Sequence, residues 1–209
     1  MDQSDIPFLT AAELGQLIKT KEVSPVEAVD AYLQRIHELD HKINSYITIC
    51  DDEARQGAKE SEAALMRGEY RGILHGVPVA VKDQLLTRGI RTTSGCPAYK
   101  DFVPDHDATV ITKLKEAGDI LLGKLNMVEL ASGGFSHSFS WTRNPWDLRR
   151  GLGSSSTGSG AATAARLCAT SLAEDTGGSV RWPAAFAGMV GMRPSWGRIS
   201  RHGLLPGAW

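Results

Sequence analysis

Helix and strand signals alternate along this chain, and their order constrains the fold more than any other feature. Thr10 to Glu13 and Ser24 to Glu27 both have capping-box spacing, the second with Pro25 at the first helical position. Behind Ser24, the residues Val26, Val29, Leu33, Ile36 and Leu39 recur at helical spacing, which predicts a helix with one apolar face. "SYITI", Ser45 to Ile49, reads as a short strand, and the alanine-rich, charged segment Glu53 to Arg67 reads as a surface helix. "VPVAV", Val77 to Val81, is a compact strand ending in Lys82 and Asp83. Asp107 is placed to cap a helix carrying Val110, Leu114 and Ala117, after which Gly118 leads into the strand "DILLG". Beyond Pro145, "GLGSSSTGSG" precedes a helix expected over about Gly158 to Leu167, and "ATSLA" is a strand entering "EDTGGS". This alternation implies an α/β domain with a mixed sheet between helices. No internal repeat or domain boundary interrupts it, so the chain reads as one domain, with a helical N-terminal region over 1–70 and a core segment over 71–209.

The 209 residues are 42% hydrophobic and 22% charged, enough to bury a sizeable core. A formal net charge of -1, without a basic block or a basic stripe interleaved with aromatics, argues against nucleic acid as the main ligand. "MDQSDIPFLT" lacks the basic start and apolar core of a secretory signal, and no apolar run approaches membrane-spanning length. Cys50, Cys96 and Cys168 are odd in number and far apart, in neither a pairing nor a zinc-binding pattern; a reducing cytoplasm and three small core residues are expected. Trp141, Trp146 and Trp182 read as packing anchors, and Asp83 and Asn126 as supports rather than acids or bases.

The Gly/Ser stretch from Gly151 to Gly160 admits three readings: a linker, a phosphate cradle, or hydroxyls arranged for chemistry. A linker would have low-complexity sequence on one side, whereas this stretch lies inside the α/β pattern. Gly153 to Gly158 has P-loop glycine spacing, but Ser159 stands where that loop needs lysine. The chemical reading draws on "EDTGGSVRWP", where Gly177 and Gly178 would let a substrate oxygen approach backbone amides, and where Ser179 is placed like a nucleophile. The six histidines suggest no Ser-His-Asp order. Lys82 can supply the base if burial favours its neutral amine, with the hydroxyls of the Gly/Ser stretch as the relay.

"GVPVAVKD" (Gly76 to Asp83), "GSSSTGSGAA" (Gly153 to Ala162) and "DTGGSVRWPAAFAGMVGMRP" (Asp175 to Pro194) together resemble the amidase signature family, in order and spacing as well as composition. "TRNPWDL" before the loop and "GRISRHGLLP" after the signature extend the likeness over nearly the whole chain. The resemblance implies a mixed central sheet flanked by helices on both faces. It also implies amide hydrolysis to acid and ammonia or amine through a Ser-cisSer-Lys triad and an acyl-enzyme. Carried over by position, Lys82 is the catalytic lysine, Ser155 the bridging serine with Ser156 its neighbour, and Ser179 the nucleophile. The amides of Thr176, Gly177, Gly178 and Ser179 would form the oxyanion hole, with Asp175 and Arg181 bracing it. No metal or organic cofactor is implied; the expected ligand is a small-molecule amide, in the cytoplasm, with neither nucleic acid nor membrane as a partner and with a homodimer as a further expectation.

The family's loop usually reads G-G-S-S-G-G-S, so Ser154 and Thr157 stand where it has glycines. Ala173 and Glu174 replace the usual glycine and threonine before the aspartate, and an extra carboxylate there is expected to pair with Arg181 or to alter the local pKa balance. The stretch Glu129 to Trp146, with its glycine pair followed by Ser136 and His137, looks more like the general amidases. The alternatives are an amidotransferase A-type subunit releasing ammonia from glutamine for transfer RNA amidation, and a non-catalytic amidase-like module. Typical members are more than twice as long, with a sheet that continues past the position of Trp209. The fold is therefore expected to be incomplete at the C-terminus, leaving sheet edge and apolar surface exposed.

Overall fold

A computed structural model describes residues 2–136 and 138–205; His137 and the final "PGAW" lie outside the described residues. A 3-10 turn over Gln3–Phe8 leads into helices α1 (Ala11–Lys19) and α2 (Pro25–Ile43). Both helices begin with complete capping boxes, Thr10 with Glu13 and Ser24 with Glu27. Val29, Leu33 and Ile36 of α2 are buried, and Val26 and Leu39 pack at the margin of the same core. Strand β1 (Tyr46–Ile49) is followed by α3 (Asp51–Met66), β2 (Pro78–Lys82), α4 (Thr109–Ala117) and β3 (Ile120–Leu125). Helix α5 (Thr157–Ala164), β4 (Thr170–Leu172) and α6 (Arg181–Ala187) complete the regular elements.

The sheet is mixed, in the order β1-β3-β2-β4. β2 runs parallel to both β3 and β4, while β1 is antiparallel to β3. Alternate residues of β3 serve different faces: Ile120 and Leu122 join the large core with α2 and α5, whereas Leu121 packs in a smaller cluster with Val81 and Ile111 and Leu114 of α4. Helices thus cover both faces. The large core draws on both 1–70 and 71–209, and the 1–70 region contributes a strand as well as helices.

Two local expectations differ from the structure. Asp107 does not cap α4, whose N-cap is Ala108 without a side-chain bond. Its carboxylate instead accepts from the Arg88 amide at 2.7 Å and from Lys115 Nζ at 2.7 Å, tying the β2–α4 connection to the helix flank. Nor are the three tryptophans interior anchors: Trp141, Trp146 and Trp182 are exposed, although Trp146 Nε1 donates to the Ala187 carbonyl at 2.8 Å. Phe186, Val190, Met192 and Trp196 are exposed too, so apolar surface gathers around α6 and the segment after it. All three cysteines are buried and unpaired, as small core residues should be.

Candidate active site

The parallel strands set the geometry. β2 ends at Lys82, and Val81 stands opposite Leu172, so the segment leaving β4 passes beside the lysine. Such carboxyl ends of parallel strands are where α/β sheets present their loops to ligands. On the other side, the Gly/Ser loop is held by Gly158, where a Cβ would lie 2.4 Å from both the Asn126 nitrogen and the Ser45 carbonyl oxygen. Only glycine allows that approach, and the Gly158 amide donates to the Asn126 carbonyl at 2.9 Å. The Val128 amide donates to the Ser155 carbonyl at 3.2 Å, which moors the loop to the segment after β3.

Lys82 is fully buried, and its Nζ lies 2.8 Å from Ser155 Oγ and 3.2 Å from Glu174 Oε2. Burial lowers its pKa to about 8, against the opposing pull of the Glu174 carboxylate and the more distant Asp175. Ser155, Ser156 and Ser179 are all buried. The Ser156 amide donates to the Ser179 carbonyl at 3.1 Å, and Ser156 Oγ to the Glu174 carbonyl at 3.1 Å, so the two serine-bearing loops are stitched together.

Ser179 Oγ meets Ser154 Oγ at 3.1 Å, not Ser155. In the sequence Ser154 stands out only as a replaced glycine. Its φ of 53°, after 63° at Gly153, turns the chain by two left-handed residues in succession. That turn stands where a cis bond is expected: among the described residues every peptide is trans, including the one before Ser155. Thr157, the other replaced glycine, is the first residue of α5; its hydroxyl donates to Thr142 Oγ1 at 3.1 Å.

Asp175 organises the turn before Ser179. Its carboxylate accepts from the amides of Gly178, Val180 and Arg181 at 2.8, 3.0 and 3.1 Å, and from Arg181 Nε and Nη2 at 3.0 and 2.9 Å. Burial alone would raise its pKa, but the Arg181 guanidinium and these amides hold the carboxyl well below the usual range. One expected oxyanion donor is thereby spent, since the Gly178 amide serves Asp175. The amides of Thr176, Gly177 and Ser179 donate to no acceptor among the described residues. Arg181 is thus taken by Asp175, and Glu174 pairs with Lys82 rather than with Arg181. That pairing is within reach of the sequence only through the β2–β4 register, which local pattern does not supply.

Asp83 and Asn126 lie beside the site without entering it. Asp83 Oδ2 accepts from the Thr93 amide at 2.8 Å and Thr93 Oγ1 at 2.5 Å. Asn126 Nδ2 donates to the carbonyls of Asn44 and Ser140 at 2.9 and 2.8 Å. Among the described residues no cluster of three His, Cys, Asp or Glu side chains could hold a metal ion, and no helix is long and apolar enough to cross a membrane.

The family model described as Amidase matches residues 27–208. The A-type subunit of glutamyl-tRNA(Gln) amidotransferase from Moorella thermoacetica is 48% identical over 203 residues, covering 96% of this chain and 42% of that relative. The native peptide amidase of Stenotrophomonas maltophilia superposes with a TM-score of 0.90 at 34% identity, over 94% of this chain and 42% of that one. A structure of fatty acid amide hydrolase superposes with a TM-score of 0.92 at 27% identity, over 98% of this chain and 37% of that one. The chain therefore spans less than half the length of each of these proteins.

Proposed function

Because this chain belongs to the amidase family, we propose that it carries the catalytic apparatus for hydrolysing a carboxylic amide to acid and ammonia or amine, with Ser179 as nucleophile. The observation that supports this most is the buried Lys82 amine 2.8 Å from Ser155 Oγ, at a strand end stitched to the loop of Ser179. A serine hydroxyl attacks an amide only when its proton has somewhere to go, and a lysine whose pKa is lowered to about 8 can be neutral near physiological pH. Lys82 takes the proton of Ser155, Ser155 takes that of Ser179, and Ser179 Oγ forms the ester while the relay returns a proton to the leaving nitrogen. Ser154 holds the Ser179 hydroxyl in the resting site, one residue from Ser155. The amides of Thr176, Gly177 and Ser179 would receive the developing oxyanion. Water then releases the acid, in a cytoplasmic setting compatible with three unpaired thiols.

A fluorophosphonate probe tests the triad directly. Labelling of the parent that disappears in Ser179→Ala and Lys82→Ala is the expected result. Labelling that survives Ser179→Ala overturns the choice of nucleophile, and a folded parent that never labels favours a non-catalytic module. The similarity to an A-type amidotransferase chain favours a second reading, ammonia release from glutamine. Turnover of glutamine in preference to simple aliphatic and aryl amides would establish it over the first.

A further inference from the structure

Glu174 makes a contact that the hydrolytic cycle does not require. It follows β4 directly, and its Oε2 lies 3.2 Å from Lys82 Nζ, with the lysine side chain wholly buried and the glutamate 12% exposed. Its other oxygen, Oε1, accepts from Thr176 Oγ1 at 2.5 Å, and its backbone carbonyl accepts from Ser156 Oγ at 3.1 Å. The carboxylate is therefore fixed at both ends, facing the amine. We propose that Glu174 is a positioning residue that anchors the Lys82 amine in its charged form, so that the base is released only when this ion pair is discharged. The inference rests on the reading of Lys82 as the base.

A carboxylate at ion-pair distance stabilises an ammonium, and low exposure weakens the screening that would blunt it. The groups facing Lys82 leave Glu174 as the principal control. From the Gly/Ser loop comes the neutral Ser155 hydroxyl, and from β3 the apolar Leu125 stands opposite in register. From the loop after β4 come Glu174 and, farther off, Asp175, whose charge is already met by Arg181 and by Arg193 at 3.9 Å. Asp83, the residue that follows β2, is paired with Lys124 at 3.6 Å. Burial drives Lys82 towards neutrality and Glu174 opposes it, so removing the carboxylate leaves the burial effect unopposed. The amine then gives its proton to water at lower pH.

Glu174→Gln keeps the shape of the side chain and an oxygen for Thr176, and Glu174→Asp keeps the charge. In the 209-residue chain carrying 13C-labelled lysine, the Lys82 resonance, identified by its loss in Lys82→Met, reports the amine's titration without reference to turnover. The expected result is a midpoint lower by about one pH unit or more in Glu174→Gln, and smaller movement in Glu174→Asp. The rising limb of fluorophosphonate labelling against pH should move by the same amount, which is about a fivefold faster reaction at pH 7 for a one-unit fall. If the glutamine variant does not fold, Glu174→Ser, with a smaller side chain, is expected to give the same fall. An unmoved Lys82 midpoint in the folded variant overturns the inference, whatever the activity. A lowered midpoint in a protein that never labels supports the ion pair and overturns the hydrolytic reading instead.

Discussion

Two lysines lie on adjacent strands of the sheet, both fully buried and both with pKa values lowered to about 8 by burial, yet their surroundings differ in kind. Lys124, on β3, donates to the Leu85 carbonyl at 2.7 Å and Thr92 Oγ1 at 2.7 Å, with Asp83 Oδ1 at 3.6 Å. Two hydrogen bonds and a longer ion pair thus surround its ammonium, and all three partners belong to the segment that leaves β2. Lys82 faces a serine hydroxyl whose own proton has no acceptor among the described residues, and a carboxylate carried by a different loop, whereas the Thr92 hydroxyl already donates to the Ile90 carbonyl at 3.1 Å. Burial and a lowered pKa therefore do not single out a base. On the proposed mechanism, what does so is a hydroxyl with an uncommitted proton, on a loop bonded to that of the nucleophile.

The largest test of this division is to remove each lysine in turn. Lys82→Ala is expected to slow fluorophosphonate labelling by roughly 100-fold or more, as losing a general base does, with the fold retained. Lys124→Met leaves Asp83 buried without its cation and should cost about 3–5 kcal/mol in urea unfolding, while the folded fraction still labels. Labelling lost in Lys124→Met without loss of stability would show that the two lysines had been assigned the wrong way round.

The second test uses pH. An unfolded lysine titrates near 10.5, while Lys82 and Lys124 in the fold titrate near 8. Below about 8 both states carry the proton and the fold bears the full cost of two buried ammonium groups. Between about 8 and 10.5 each of these amines holds more proton in the unfolded chain, so the two lysines contribute a rise in stability with pH, which the buried Cys50 and Cys168 thiols, pushed up to about 12, oppose from about pH 9 upward. The thiols are common to parent and variant, so the difference in urea midpoint between the parent and Lys124→Met, measured from about pH 7 to about pH 10, should move in the parent's favour as pH rises. A difference that does not change with pH would mean that Lys124 is not desolvated as the fold suggests.

The contrast between the lysines also marks the limit of what local sequence carries. Capping boxes at Thr10 and Ser24, and the β2 and β3 strands, were legible because their determinants lie within a few residues. Ser179 stood out beside the glycine pair of Gly177 and Gly178, whereas Ser155 was singled out from the other hydroxyls of its loop only by the resemblance to the amidase signature family. The pairings Lys82 with Glu174, Lys124 with Asp83, and Ser154 with Ser179 were not legible, because each joins segments brought together by sheet order. Asp107 misled for a related reason: a cap residue at the right place found better partners in Arg88 and Lys115 across the fold. The tryptophans misled because their large apolar area suggests burial, while the surface around α6 leaves them exposed.

Smaller changes sharpen the contrast one hydroxyl at a time. Thr92→Val takes an acceptor from Lys124 and should cost about 1–3 kcal/mol without altering labelling, since it unsatisfies a buried donor. Ser155→Ala takes the equivalent acceptor from Lys82 and should abolish labelling, with the fold retained. Equal stability losses in both, with labelling intact in both, would make Ser155 another structural hydroxyl and remove the distinction between the two sites.

The smallest expected effect comes from Ser154, where a side chain is held at a φ of 53° in a conformation that glycine reaches without penalty. Ser154→Gly relieves that strain but also frees the unfolded backbone, so the net gain is expected to be about 1 kcal/mol or less. It also deletes the hydroxyl that holds Ser179 Oγ, while leaving Lys82 and Ser155 in contact. If Ser155 is the residue that passes the proton to lysine, labelling persists in Ser154→Gly and its dependence on pH is unchanged. If labelling is lost in a variant that unfolds at the same or higher urea concentration than the parent, the proton route runs through Ser154. The departure from glycine would then be a working part of this site, and Lys82 would differ from Lys124 in having two serines between it and the nucleophile.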